Sequence, residues 1–202
     1  TLGEEEKKAI NDLIDSGWVV MGERTKEFEE KFAEYVGAKY TIFVDSGTSA
    51  LDLSVKWLLH EKIWNKKEKI DVPSLTFTST AEVLVHNGLV PNFVDVSKDN
   101  LCMENPHINA LPVNLVGNLA SNFGVWIIDS AHRVIKDDVK ESAALWCYSF
   151  YATKNLTTVN GGMIATNNER AVQWLRKARD HGVTKGTIER YKDGKWSYDI
   201  DF

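Results

Sequence analysis

Val125-Trp-Ile-Ile-Asp-Ser-Ala-His-Arg-Val134 and, after a polar connection, Leu145-Trp-Cys-Tyr-Ser-Phe-Tyr-Ala-Thr-Lys-Asn-Leu-Thr-Thr-Val-Asn-Gly-Gly162 decide how this chain is read. The run Val125 to Ile128 is too short and too rich in β-branched residues for a helix, and it predicts a buried strand. Leu145 to Tyr148 reads the same way. Asp129 and Ser149 then emerge at the carboxyl ends of two strands, and Lys154 lies on the loop that follows. Open α/β sheets bind their ligands along that edge.

An acid, a hydroxyl and a lysine on one sheet edge suit pyridoxal 5′-phosphate (PLP). That cofactor needs a lysine amine for a Schiff base, a carboxylate to keep its ring nitrogen protonated, and donors for its phosphate. The words Asp129-Ser-Ala-His132, Ser149-Phe-Tyr-Ala-Thr-Lys154-Asn155 and Asn160-Gly-Gly162 resemble the sugar aminotransferases of the DegT/DnrJ/EryC1/StrS group.

Ala9, Ile10, Leu13 and Ile14 recur at helical spacing between Glu4 and Ser16, with Gly17 as a stop. Thr25 is the expected cap of a second helix with the apolar face Phe28, Phe32, Tyr35 and Val36, ended by Gly37. Tyr40 to Val44 predicts a strand, and Asp45-Ser-Gly-Thr-Ser-Ala-Leu51 opens a helix that runs to about Leu59. The first N–H groups of such a helix favour an anion. Taken alone the motif is only a capped helix. The resemblance makes Gly47 and Thr48 phosphate ligands, together with Ser149.

Lys69 to Val72 predicts a short strand, and Ser74-Leu-Thr-Phe-Thr-Ser-Thr80 leads into a helix ended by Gly88. By resemblance Phe77 lies flat on the cofactor ring; the alternative is a core Phe under the sheet. Val90 to Val96 is the next strand. Between Val96 and Asp129 the chain departs from the family's pattern. Asn114 stands where the family often has His, and at least one covering helix is expected to be short or missing. The link from Gly117 to Val125 is tight for a parallel crossover, which needs about a dozen residues.

The resemblance further implies that Lys154 is the catalytic lysine and Asp129 the partner of the ring nitrogen. His132 lies beside the cofactor, and Asn155 is a further cofactor-side residue that, with Asn160, supports the loop. Related sugar dehydratases carry His in place of this lysine, so Lys154 favours transamination. Asp137 and Asp138 read as loop charges. Met163 to Thr166 predicts a strand, and Asn168 to Asp180 an amphipathic helix closed by His181-Gly182. The polar stretch from Thr184 to Phe202, with Trp196 and Tyr198, resembles the lead-in to the family's next motif.

Strands alternating with helices from Tyr40 onward argue for an α/β protein with a mostly parallel sheet flanked by helices. The resemblance makes that sheet the large domain of the aspartate-aminotransferase-like fold (fold type I), spanning 1–202 with 1–37 an N-terminal helical segment. The family's small carboxyl-terminal domain falls outside it. The expected activity is transfer of an amino group from an amino acid such as glutamate to a keto-sugar, usually nucleotide-linked, by a cytoplasmic homodimer. The competing reading is a truncated or regulatory domain, with or without PLP, that has no transaminase activity. The net charge of −5 and the absence of a basic block argue against nucleic acid. No apolar run approaches the about 20 residues of a membrane span. Cys102 and Cys147 show no metal spacing and are expected as idle thiols.

Overall fold

A computed structural model describes residues 2–121, 124–139, 144–183 and 200–201. Trp196 and Tyr198 lie outside the described residues. Two helices come first, α1 (Glu4–Asp15) and α2 (Glu23–Val36). Then follow β1 (Tyr40–Val44), α3 (Gly47–His60), β2 (Lys69–Pro73), α4 (Thr78–His86) and β3 (Val90–Val94). The site-bearing half contains β4 (Ile127–Asp129), β5 (Leu145–Ser149), β6 (Gly162–Thr166) and α5 (Glu169–Arg179).

The strands lie in the order β1-β6-β5-β4, with β2 and β3 paired beyond. The stretch 109–114 joins the two groups. Ala110 bridges to Asp71 and Val113 to Asp129, both parallel. Leu111 N–H donates to the Asp71 carbonyl at 2.8 Å, and Asp129 N–H to the Pro112 carbonyl at 3.0 Å. Pro112 has no N–H to give, so this stretch holds its place by single bridges rather than a full ladder. The pairs β2–β3 and β4–β5 are parallel, whereas β6 runs antiparallel to both β1 and β5. The expected mostly parallel sheet thus carries one reversed strand.

Both faces of the sheet are covered, which explains why its strands read as unbroken apolar runs. Leu145 and Cys147 of β5 point into a core shared with Leu51, Val55 and Leu58 of α3, Val83 of α4 and Leu175 of α5. Trp146 and Tyr148, one residue out of phase, point to the other face with Phe32 and Val36 of α2. Phe32 packs edge-on against Tyr148 and Phe150, at ring separations of 5.1 and 5.3 Å. Burial pushes the Cys147 thiol well up from its usual range, and its sulfur lies 3.3 Å from Ser54 Oγ. Both cysteines are buried and free, as expected.

Several expectations need correction. Gly22, not Thr25, caps α2; Thr25 instead accepts the Gly22 N–H at 3.4 Å. Gly37 ends the helix with φ 74°, a left-handed conformation open to glycine. No residue of α1 is buried, so its apolar stripe of Ile10 and Ile14 faces outward. Strand β4 begins two residues later than the apolar run and includes Asp129 itself. In the departing region the described residues hold no helix beyond one 3-10 turn, Leu115–Gly117. Asp138 is no loose loop charge: Arg133 grips it with two bonds of 2.6 and 2.9 Å. Among the described residues no helix is long and apolar enough to cross a membrane, and no cluster of three or more His, Cys, Asp or Glu could hold a metal.

Candidate active site

Three chain segments end at one edge of the sheet. Strand β1 runs into the N-terminus of α3, β4 ends on Asp129, and β5 ends on Ser149. Between them lies a cavity of about 570 Å³, an ordinary size for a small-molecule site. Its wall includes Gly47, Thr48, Phe77, Asp129, His132, Ser149 and Lys154. These are all of the expected site residues except Asn155, which is exposed on the loop and is not on the wall.

At one end is a cup of donors. Ser46 caps α3: its hydroxyl accepts the Ser49 N–H at 3.1 Å and its carbonyl the Ala50 N–H at 3.0 Å. The N–H groups of Gly47 and Thr48 belong to the first turn, where the helix supplies no acceptor. A Cβ on Gly47 would sit 2.8 Å from Ser149 Cβ, so glycine is what brings that hydroxyl against the helix end. Gly162 packs beneath. A Cβ there would meet the Ser46 carbonyl at 2.3 Å and the Gly47 nitrogen at 2.7 Å. The close approach of two backbones is thus what requires glycine at position 162.

Asp129 lies at the other end, 4% exposed. Its Oδ1 accepts the Ala131 N–H at 3.0 Å and its Oδ2 the Thr80 hydroxyl at 2.8 Å. Burial nevertheless pushes its carboxyl up from the ordinary value, against the pull of those donors and of His132 and Lys154. Burial holds the Lys154 amine below its ordinary value, with Asp129 pulling the other way. Burial and the Lys154 charge hold the His132 imidazole down as well, again opposed by Asp129.

Lys154 rides on a loop closed at its neck. Ser149 is paired with Gly162 in the ladder, and Phe150 N–H donates to the Gly161 carbonyl at 2.8 Å. Thr158 N–H and the Thr157 hydroxyl both return to the Phe150 carbonyl. Val159 has φ 70° and Val116 φ 54°, values that β-branched residues rarely adopt, and each neighbours a wall residue, Asn160 and Leu115. Phe77 is 70% exposed, which removes the core-Phe alternative.

Residues beyond the expected set complete the wall or brace it. Ser46, Thr76, Ser79, Tyr151, Thr153 and Asn160 line the cavity. Asn114 is fully buried; it donates to Ser130 Oγ at 2.7 Å and accepts the Ala120 N–H at 2.8 Å. It therefore pins the short 115–120 connection instead of reaching the cavity. Arg133 also donates to the Gly117 carbonyl at 2.5 Å, tying the His132 loop to the 3-10 turn. Arg133→Ala is expected to cost about 2 kcal/mol or more in urea unfolding, because the Asp138 charge, with its side chain only 10% exposed, loses both its donors. Nothing in the sequence singles out Arg133, since its partner Asp138 lies in a loop with no periodic pattern.

The sequence profile of the DegT/DnrJ/EryC1/StrS aminotransferase family matches residues 1–200. The spore coat polysaccharide biosynthesis protein SpsC of Bacillus subtilis is 30% identical over 99% of this chain, which spans 57% of that protein's length. Among solved structures, Spr1654 of Streptococcus pneumoniae in its PMP form superposes with a TM-score of 0.82 at 24% identity, over 100% of this chain and 61% of that one. The same protein is also solved in a PLP form. ColD, a GDP-4-keto-6-deoxymannose-3-dehydratase solved as a mutant with bound GDP-perosamine, gives 0.81 at 25% identity, over 93% of this chain and 55% of that one. With the profile matched from end to end and the fold shared with these structures, this chain belongs to the DegT/DnrJ/EryC1/StrS aminotransferase family.

Proposed function

We propose that this chain is the cofactor-binding large domain of a PLP-dependent sugar aminotransferase, taking its amino group from an amino acid such as glutamate and passing it to a nucleotide-linked keto-sugar. The observation that carries this reading is that Lys154 and Asp129 share one cavity with the donor cup of Gly47, Thr48 and Ser149. The residues fit the cofactor. Burial of the Asp129 carboxylate outweighs the donors and the Lys154 and His132 charges around it, and a protonated ring nitrogen would add a further cation to the same cavity. The cup offers N–H and O–H donors to a phosphate. Phe77 offers an exposed aromatic face on the wall of the same cavity.

When bound, PLP supplies a carbonyl that condenses with amines and a ring that takes up electrons from the substrate. The protein supplies the rest. Asp129 keeps the ring nitrogen charged. Lys154, with its amine held below the ordinary pKa, takes up the proton released at the donor's α-carbon. His132 stays neutral near pH 7 and borders the same space. A dehydratase fold-mate such as ColD means that the fold alone does not choose the reaction. The lysine on the loop favours transamination over dehydration. Ile10 and Ile14 on α1, and Val19 and Val20 after it, are exposed apolar side chains, which supports a homodimer. A cytoplasmic setting with small-molecule partners, without nucleic acid or membrane, completes the reading.

A spectral titration tests it. The 202-residue chain with added PLP is expected to show a visible absorbance band that borohydride removes and that Lys154→Ala lacks. Glutamate, or another amino acid, is expected to convert that band to the pyridoxamine phosphate spectrum. PLP binding that no amino acid alters would overturn the transaminase reading in favour of a binding domain.

A further inference from the structure

The buried Asp129 carboxylate is not held by its own strand alone. Thr80, in the first turn of α4 and fully buried, donates its hydroxyl hydrogen to Asp129 Oδ2 at 2.8 Å. Thr80 Oγ1 also lies 2.8 Å from Thr76 Oγ1. A carboxylate only accepts, so the Thr80 hydrogen is committed to Asp129 and the Thr76 hydroxyl must donate to Thr80. The direction is therefore Thr76 to Thr80 to Asp129. The two threonines flank Phe77, and the Thr80 N–H returns to the Phe77 carbonyl at 3.1 Å. One short segment thus carries both the aromatic face in the cavity and the hydroxyl that fixes the carboxylate.

We propose that Thr80 is a positioning residue for Asp129, with Thr76 as the outer link of a hydroxyl chain that locks the Phe77 segment and the carboxylate into one unit. The proposal rests on the PLP reading only for what Asp129 then meets. A chained pair of hydroxyls polarises each successive bond, so the inner one is a stronger donor than a lone threonine. With the Ala131 N–H on Oδ1 and the Thr80 hydroxyl on Oδ2, each oxygen of the carboxylate is held by one donor while the group still borders the cavity.

The test uses Thr80→Val, Thr80→Ser and Thr76→Val in the whole 202-residue chain. The first readout needs no cofactor: the melting temperature of the ligand-free protein against pH. Lys154, His132 and Cys147 are the titratable groups that face Asp129, and all three variants leave them in place. Loss of the Thr80 donor drives the Asp129 carboxyl higher still, so Thr80→Val is expected to fall further below the parent chain at pH 8 than at pH 5. In an Asp129→Asn background that pH dependence is expected to vanish. The second readout is PLP affinity. Thr80→Val is expected to weaken it about tenfold or more, as loss of a hydrogen bond to a charged group does. Thr80→Ser, which keeps the hydroxyl, is expected to stay within about threefold of the parent on the same scale. A Thr80→Val deficit that is the same at every pH, or a serine variant as weak as the valine, overturns the proposal and leaves Thr80 as packing. If Thr80→Val does not fold, Thr76→Val carries the test with the same signs and smaller shifts, and its equality with the parent at all pH values is the overturning result. A parent chain that fails to bind PLP refutes the cofactor reading while the ligand-free pH arm still decides the role of Thr80.

Discussion

Asp129→Asn is expected to make the ligand-free protein more stable and the cofactor-loaded protein useless. The carboxyl is buried, and burial raises its proton affinity in the folded state above the ordinary value of 3.8. Folded protein therefore holds a proton that unfolded protein has released. Stability falls as pH rises from that ordinary value through the raised one, and above the window the deficit is complete. Asparagine carries no charge to desolvate. Its carbonyl still accepts the Ala131 N–H, and its amide can donate to Thr80, whose hydroxyl rotates to suit. We expect a gain of about 1–2 kcal/mol at pH 8 that shrinks toward pH 4, read by urea unfolding at each pH. With PLP present the order reverses. On the proposed function the variant cannot counter a charged ring nitrogen, and any amino-group transfer by the parent chain should fall by about 10³-fold. A variant no more stable than its parent at pH 8 would show that Asp129 is already well compensated in the empty site. The carboxylate would then be a structural acceptor rather than a strained one.

Gly162→Ala is the second large effect. Its new Cβ would stand 2.4 Å from the Ser46 carbonyl carbon and 2.7 Å from the Gly47 nitrogen, and both are backbone atoms. A flexible side chain could swing away, but the first turn of α3 cannot move without dragging β1 or the helix with it. The expected cost is about 3 kcal/mol or more, at the high end for overpacking. If the chain folds, the donor cup opens and phosphate affinity drops. The clearest reading is PLP affinity set beside pyridoxal affinity. The variant should lose the preference for the phosphorylated form, whereas Gly161→Ala, itself strained at φ 157° but crowding the side chains of Thr158 and Phe43 rather than the cup, should keep it in whatever fraction folds. An unchanged preference in Gly162→Ala would separate the cup from phosphate binding.

The sequence carried more of the site than of its supports. Asp129 and Ser149 were legible because each follows an unmistakable apolar run and strand ends predict sheet edges, and Lys154 because it lies on the loop directly after the second run. The cup was legible because Gly47 and Thr48 follow a strand and open a helix. The supports were silent for a physical reason. Thr80, Asn114 and Arg133 act through partners 49, 16 and 5 positions away, and only the fold sets those distances. The reversal of β6 was also unreadable. A strand buried on both faces has the same composition whichever way it runs, and Gly162 to Thr166 is buried throughout. In the opposite sense, α1 advertised a packed face through Ile10 and Ile14 that the described chain does not cover. Helical spacing reports that a face is apolar, not what it rests on.

The reversed direction of β6 has an evolutionary price tag of almost nothing. Because β5 and β6 run opposite ways, the segment bearing the lysine leaves and re-enters the sheet at the same rim, with Ser149 and Gly162 paired at its base. Such a flap needs no helix to carry it across. Doubling its length would add only about 0.6 kcal/mol of closure cost. Residues can therefore be added between Lys154 and the Gly162 end of the flap at little cost to stability, while the Ser149–Gly162 pair and the sheet beneath stay as they are.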